Sequence, residues 1–226
     1  SFDDLYAAGQ FSASHSPSPH LCSGCSTSGP GSVAHEREAT CPPHVAHDIP
    51  TRARDPQRRS GVMELYRLRP AEPFQRRVGT AVVIDVLRMT STAAVLMGLP
   101  TCMGVAVAAT LADLERLSLS PSDCVVVSEL TSASWPGTWV DNSPALVARM
   151  SFERRTPVLV TTNGTRTLLN AAAFADEVLL ASFRDLGAVA QYLKRRAVSA
   201  VVLMPAGSFA PPETRIEDEQ CADVLG

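Results

Sequence analysis

The sequence predicts an α/β protein, a three-layer α/β/α domain on a mostly parallel sheet, preceded by a disordered N-terminal tail. Three observations predict it. From about residue 62, short apolar runs rich in Val, Ile and Leu alternate with longer amphipathic stretches, the pattern of strand–helix crossover units. Several of these runs stop at a polar residue followed by Thr, Ser or Asn, the usual opening of a helix. Residues 1–61 show neither pattern.

The tail is rich in Ser, Pro, Gly, His and Arg, and residues 1–60 carry seven of the 17 prolines. Such a segment buries too little apolar surface to offset its ordering entropy, so it is expected to be disordered. Within it, Cys22-x2-Cys25 and Cys41-x2-His44 have the spacing of a zinc knuckle. Ser26–Thr40 between them offers almost no apolar residue to pack beside a metal, so chance occurrence in a low-complexity tail is the expected reading. A zinc-binding adaptor is kept as an alternative. Met63 opens a stretch resembling an ordinary N-terminus.

The domain expected over 62–226 begins with a strand at Val62–Leu68. Ala81–Val86 is the second strand, β-branched at most positions, and Thr90–Met97 its helix. Met103–Ala108 reads as a strand, Leu111–Leu117 as a helix, and Cys124–Val127 as a strand ending at Ser128-Glu129. A loop with two tryptophans follows, Leu130–Asp141. Asn142-Ser143-Pro144 then starts a helix through Met150, with Pro144 in the tolerated first turn. Val158–Val160 leads through Thr161-Thr162-Asn163-Gly164-Thr165 into a helix over Arg166–Phe174. Glu177–Leu180 is a strand, Leu186–Arg196 a helix and Ala200–Met204 a strand. A loop over Pro205–Pro212 precedes a helix start at Ile216–Cys221.

Composition closes several routes. Hydrophobic content is 45% and net charge −3, which supports a packed core and argues against bulk nucleic-acid binding. Lys194 is the single lysine, so a lysine-dependent phosphate loop is excluded. No run of 18 apolar residues marks a membrane helix. The six cysteines are scattered, unlike a disulfide framework, and a reduced, cytoplasmic protein is expected. All five histidines lie within the first 47 residues. Acid–base work in the α/β part therefore falls to carboxylates, a cysteine or metal-activated water.

Four polar clusters fall where strands end or helices begin: Asp85 with Arg88 and Thr90; Glu129 with Asn142-Ser143; Thr161–Thr165; and Glu217-Asp218 with Cys221. Strand ends of a parallel sheet gather on one edge, so the four are expected to converge. Three acidic positions there suffice for a hard divalent cation with waters. Arg88 and the amides at helix starts suit a phosphate. Each piece alone also reads blandly, as a dipole partner, a turn or a solvated first turn. Cys221 is more often a small buried residue than a nucleophile.

Val83-Ile84-Asp85-Val86-Leu87-Arg88-Met89-Thr90-Ser91-Thr92 resembles the opening motif of the 2-phosphosulfolactate phosphatase family. Asn142-Ser143-Pro144, Thr161–Thr165 and Glu217-Asp218-x2-Cys221-Ala222 resemble its later motifs, in order and at similar spacing. Ser128-Glu129 and Ala181-Ser182-Phe183 also fit. The resemblance covers about residues 63–226. It implies an α/β/α fold and a magnesium-dependent phosphatase of hydroxy-acid or acid-sugar phosphates, with 2-phospho-3-sulfolactate, a coenzyme M precursor, as the name substrate.

The assignment expected from residues and resemblance together is as follows. Asp85, Glu129, Asp218 and Glu217 hold Mg²⁺. Arg88 with the amides of Asn163, Gly164 and Thr165 holds the phosphate, Thr90 lines the site, and Asn142 orients a second acid group. Metal-activated water, or Cys221, attacks phosphorus. The expected partner is a small phosphorylated acid; neither nucleic acid nor membrane is expected, and a homo-oligomer is allowed for. Two departures are visible. Asp141 stands where the family commonly has glycine before Asn-Ser-Pro, and Asp223 where glycine follows Cys-Ala. Family members usually run on past Cys-Ala, so the domain is expected to be short at its C-terminus. These departures support one alternative, a catalytically inactive or truncated paralogue.

Overall fold

The computed structural model describes residues 63–130 and 135–226. The expected tail, and the Cys22, Cys25, Cys41 and His44 motif in it, lie outside the described residues. Within them the order is β1 (Glu64–Arg67), β2 (Val78–Ile84), α1 (Met89–Met97), β3 (Ala106–Ala108), α2 (Leu111–Arg116), β4 (Cys124–Ser128), β5 (Thr138–Val140), α3 (Pro144–Val147), β6 (Thr156–Val160), α4 (Gly164–Phe174), β7 (Ala175–Ala181), α5 (Leu186–Arg196), β8 (Ala200–Pro205), β9 (Ser208–Phe209), β10 (Pro212–Glu213) and α6 (Ile216–Leu225). No described helix is long and apolar enough to cross a membrane.

The α/β class and the parallel pairing are as the sequence predicts. The strands are shared between two four-stranded sheets, ordered β1-β8-β2-β7 and β3-β6-β4-β5, every neighbour pair parallel. The alternation of a strand's side chains explains the layers. In β2, Ala81 and Val83 face a core that also holds Met89, Ala93 and Leu96 of α1, Leu168 and Ala171 of α4, and Val125, Val127 and Leu159 of the second sheet. Val82 and Ile84 face the other way, onto Val189 and Leu193 of α5 and Cys221 and Ala222 of α6. The first sheet is therefore the middle of an α/β/α sandwich. Helices α1 and α4 are shared with the second sheet, whose far face packs on Leu114 of α2. Strands buried on both faces need the continuous apolar runs seen in the sequence.

Parallel pairing aligns the carboxyl ends. Ile84 lies across from Ala181 on one side and Pro205 on the other. In the second sheet Ser128 lies across from Val160, and its Oγ donates to the Val160 carbonyl at 2.5 Å. Three elements were not expected. β5 lies inside the tryptophan loop, and β9, inside the 205–212 loop, pairs antiparallel with β10 at the end of that loop. Runs of two or three residues are too short to show a period. The helix expected to reach Met150 stops at Val147; its Ser143 side chain accepts from the Leu146 amide at 3.4 Å, as an N-cap should.

Candidate active site

The site is built at the seam where the two sheets present their carboxyl edges. Asp85 follows β2 directly and is 8% exposed. Thr90 closes the turn around it, its Oγ1 donating to the Asp85 carbonyl at 2.7 Å and accepting from the Asp85 amide at 3.2 Å. The Asp85 carboxylate accepts from the Met89 amide at the start of α1, 3.2 Å away, and from the Gly164 amide at the start of α4. One carboxylate thus joins two helix N-termini, where the dipole favours an anion. Burial still dominates. It pushes the Asp85 carboxyl up from 3.8 to about 7, with the charges of Asp218 and Glu129 pushing the same way and the two amides opposing.

Asp218 belongs to the first turn of α6 and is 3% exposed. Its Oδ1 accepts from the Val86 amide at 2.8 Å and its Oδ2 from the Gly207 amide at 3.0 Å. It therefore ties the turns after β2 and β8 to α6. Burial raises its pKa to about 6, against those two amides. Replacing Asp218 by Asn leaves one of the two amides facing an NH₂ group. An unsatisfied buried donor costs about 1–3 kcal/mol, so urea unfolding of Asp218→Asn is expected to show a loss of about 2 kcal/mol despite the removal of a buried charge. An unchanged midpoint contradicts the tie.

On the second sheet, Glu129 follows β4. Its Oε1 accepts from the Thr162 amide at 2.7 Å and the Thr162 hydroxyl at 3.1 Å, and its Oε2 from Asn142 Nδ2 at 3.3 Å. That last bond fixes the Asn142 amide orientation. Asn142 is 2% exposed and its Oδ1 has no hydrogen-bond partner. Such an acceptor, buried beside a carboxylate, is costly unless something fills it. Asn163 Oδ1 accepts from the Phe209 amide at 3.3 Å, bringing β9 to the same seam. Arg88, on the turn after Asp85, donates from both terminal nitrogens to Asp141, at 2.9 and 3.2 Å.

The four clusters expected to converge do so, through bonds that cross between turns. Several assigned roles change. Thr90 and Thr165 are fully buried and spend their hydroxyls on the turns, Thr165 Oγ1 donating to the Thr161 carbonyl at 2.7 Å; neither presents a hydroxyl to a substrate. Two of the three amides expected to hold phosphate are occupied, Gly164 by Asp85 and Thr165 by Thr161 Oγ1 at 3.1 Å, and the Thr162 amide just before them is taken by Glu129. The protein's own carboxylates and hydroxyls take the place of an outside anion at α4. Cys221 is fully buried against the first sheet, and its thiol is pushed up to about 12 by burial, with Asp185 and Asp218 adding to it. An enclosed neutral thiol is a packing group and not a nucleophile. The four-carboxylate set of Asp85, Glu129, Glu217 and Asp218 does not form a cage either. Among the described residues no three His, Cys, Asp or Glu side chains gather as a metal-binding group. Asp218 is turned to backbone amides, and Glu217 beside it on α6 acts by raising its pKa.

The two departures from the expected motifs are accommodated. Neither Asp141 nor Asp223 has the positive φ that would require glycine. Asp223 joins Glu219 in pairing with Arg67. Sequence reasoning missed the partnership of Arg88 with Asp141, for which opposite sign was the only signal, and the grip of Thr162 on Glu129. A groove of about 650 Å³ lined by Arg67, Arg69, Pro212 and Glu219, among others, shares none of the seam residues described above.

Residues 68–226 match the family model described as 2-phosphosulpholactate phosphatase. A protein of Thermotoga maritima named probable 2-phosphosulfolactate phosphatase is 33% identical over 139 residues, 62% of this chain and 57% of that one. Like-named proteins of Symbiobacterium thermophilum and Deinococcus radiodurans are each 33% identical, over 168 and 145 residues. The matches cover 69% and 64% of this chain, and 65% and 59% of theirs. The chain thus spans less than two thirds of the length of these relatives.

Proposed function

Because the chain belongs to the 2-phosphosulpholactate phosphatase family, we propose that it is a Mg²⁺-dependent phosphomonoesterase. Its substrate would be 2-phospho-3-sulfolactate or a related hydroxy-acid phosphate, cleaved by water to the hydroxy acid and inorganic phosphate. The observation that carries this reading is the buried carboxylate of Asp85, pushed to about 7 within reach of the charges of Asp218 and Glu129. Such a group is relieved by a proton or by a cation.

The donors fit magnesium. Mg²⁺ is a hard cation that takes one or two carboxylates and keeps several waters, so no closed cage is required. Asp85 and Glu129 would hold it, and the unpartnered Asn142 Oδ1 is a further hard oxygen on the amide that bonds Glu129. When bound, the ion would neutralise charge on the phosphoryl group and lower the pKa of water. The chain's own residues do the rest. Thr162 and Asn142 fix Glu129 in one orientation. The Met89 and Gly164 amides fix Asp85. Arg88 supplies a positive charge on the same turn, suited to the phosphoryl oxygens.

Phosphate release from a panel of 2-phospho-hydroxy acids, with and without Mg²⁺, tests the proposal. Release that needs Mg²⁺ and is fastest for substrates carrying a neighbouring acid group is expected. Metal-independent release, or none across the panel, overturns it.

A further inference from the structure

The cation on the Asp85 turn is already engaged. Arg88 and Asp141 form a two-pronged pair, Nη1 to Oδ2 at 2.9 Å and Nη2 to Oδ1 at 3.2 Å. Both side chains are reachable from solvent, at 37% and 51% exposure. The pair spans the seam between the sheets, since Arg88 lies three residues after Asp85 and Asp141 immediately before Asn142. The planar fork that matches a carboxylate here is the same fork that matches a phosphate. Any anion arriving at Arg88 must therefore displace or share with Asp141. It also meets a fourth carboxylate in a region that already holds Asp85, Glu129 and Asp218, and that repulsion grows with each charge the ligand carries.

We propose that Asp141 is a specificity-determining residue, an internal competitor that occupies the Arg88 fork and weakens the chain's hold on anions, most strongly on those with more than one acid group. The inference rests on the phosphatase reading and deepens it by naming the residue that sets how tightly the more highly charged members of the substrate class are held. Relative to a chain with a neutral residue at 141, the loss of affinity is greatest for phosphates that also carry carboxylate and sulfonate. The exposed pair adds little to stability, and among the described residues the Asp141 side chain bonds only to Arg88, so its removal leaves the turn intact.

Binding of inorganic phosphate, followed by isothermal titration or by ³¹P line shape, tests this without turnover. The proteins are the wild type, Asp141→Asn, Arg88→Gln and the double variant, each checked for an unchanged thermal midpoint. Asp141→Asn is expected to bind phosphate about fivefold more tightly, the change an exposed ion pair can supply. The gain should shrink as salt is raised and vanish in the Arg88→Gln background. With substrates, the same variant should lower KM more for a phosphate carrying a carboxylate than for a simple alkyl phosphate. Equal or weaker phosphate binding by Asp141→Asn, no binding by any of the proteins, a gain that persists without Arg88, or the same KM change for both substrates overturns the proposal. The expected phosphate-binding pattern combined with an absence of turnover would instead remove the phosphatase reading and leave the competition at Arg88 standing.

Discussion

Replacing Asp85 with Asn is expected to lower kcat/KM for Mg²⁺-dependent phosphate release by about 10³-fold. The reasoning starts from geometry. Asp85 is the carboxylate that both helix N-termini aim at, through the Met89 and Gly164 amides. A metal in such a site supplies several kcal/mol of charge stabilisation, and each 1.4 kcal/mol is a factor of ten in rate. An amide at position 85 removes the charge and turns an NH₂ toward one of the two N–H groups. Stability gives an independent readout in metal-free protein. The Asp85 pKa is raised from 3.8 to about 7, so the folded state binds the proton more tightly than the unfolded chain does. The stabilisation this provides is complete below about pH 4 and is lost as pH rises through 7. The Asn variant lacks this dependence. Its thermal midpoint relative to the wild type should therefore climb between pH 5 and pH 8, whatever constant offset the misplaced NH₂ adds. A midpoint difference that stays flat across that range contradicts the buried, unrelieved carboxylate; activity within tenfold of wild type contradicts its role.

Gly164→Ala is expected to be the most destabilising small change in the site, at about 3 kcal/mol by urea unfolding. A Cβ at 164 would lie 2.6 Å from Met89 Cβ and 2.8 Å from Met89 Cε, and closer still to Asp85 Oδ2. Met89 is fully buried, so it has nowhere to swing, and α4 must back away from α1. Overpacking of this kind costs 1–3 kcal/mol, occasionally more. The same shift stretches the Gly164 amide from Asp85, so catalysis should fall with stability. Gly187 in α5 is the control. Nothing lies within 4 Å of a Cβ there, and Gly187→Ala should stabilise by about 0.5–1 kcal/mol through helix propensity. Equal effects at 164 and 187 would mean that the contact between α4 and the Asp85 turn is not close.

What the sequence revealed, and what it hid, divides by distance along the chain. The turn from Ile84 to Thr92 was legible because its signals are neighbours: an apolar run, a charge, then a hydroxyl-rich helix start. The gathering of Asp85, Glu129, Asn142, Asn163 and Asp218 at one seam followed from the single rule that parallel strands end on one edge. Pairings between distant residues were not legible. Thr162 grips Glu129 across 33 residues and Arg88 reaches Asp141 across 53, and no local pattern announces either. For the same reason the Gly164 amide of α4 looked free for phosphate when the distant Asp85 carboxylate takes it. Cys221 could be weighed as a nucleophile or as a small buried residue, and the alternation of β2 and the face of α6 enclose it, as the second reading has it. The division into two sheets was hidden because alternating strands and helices do not say which strands are neighbours; β2 sits between β7 and β8, synthesised long after it.

That order of synthesis bears on when the chain becomes competent. The loop holding Asp85 takes its shape partly from the Asp218 carboxylate, which grasps the Val86 amide from 132 residues further along. While the nascent polypeptide is still being extended, the turn after β2 has only its local clasp, from Thr90. The Asp218 tie is added only once residue 218 has cleared the ribosomal tunnel, so the full set of bonds at the seam is absent from every shorter growing chain.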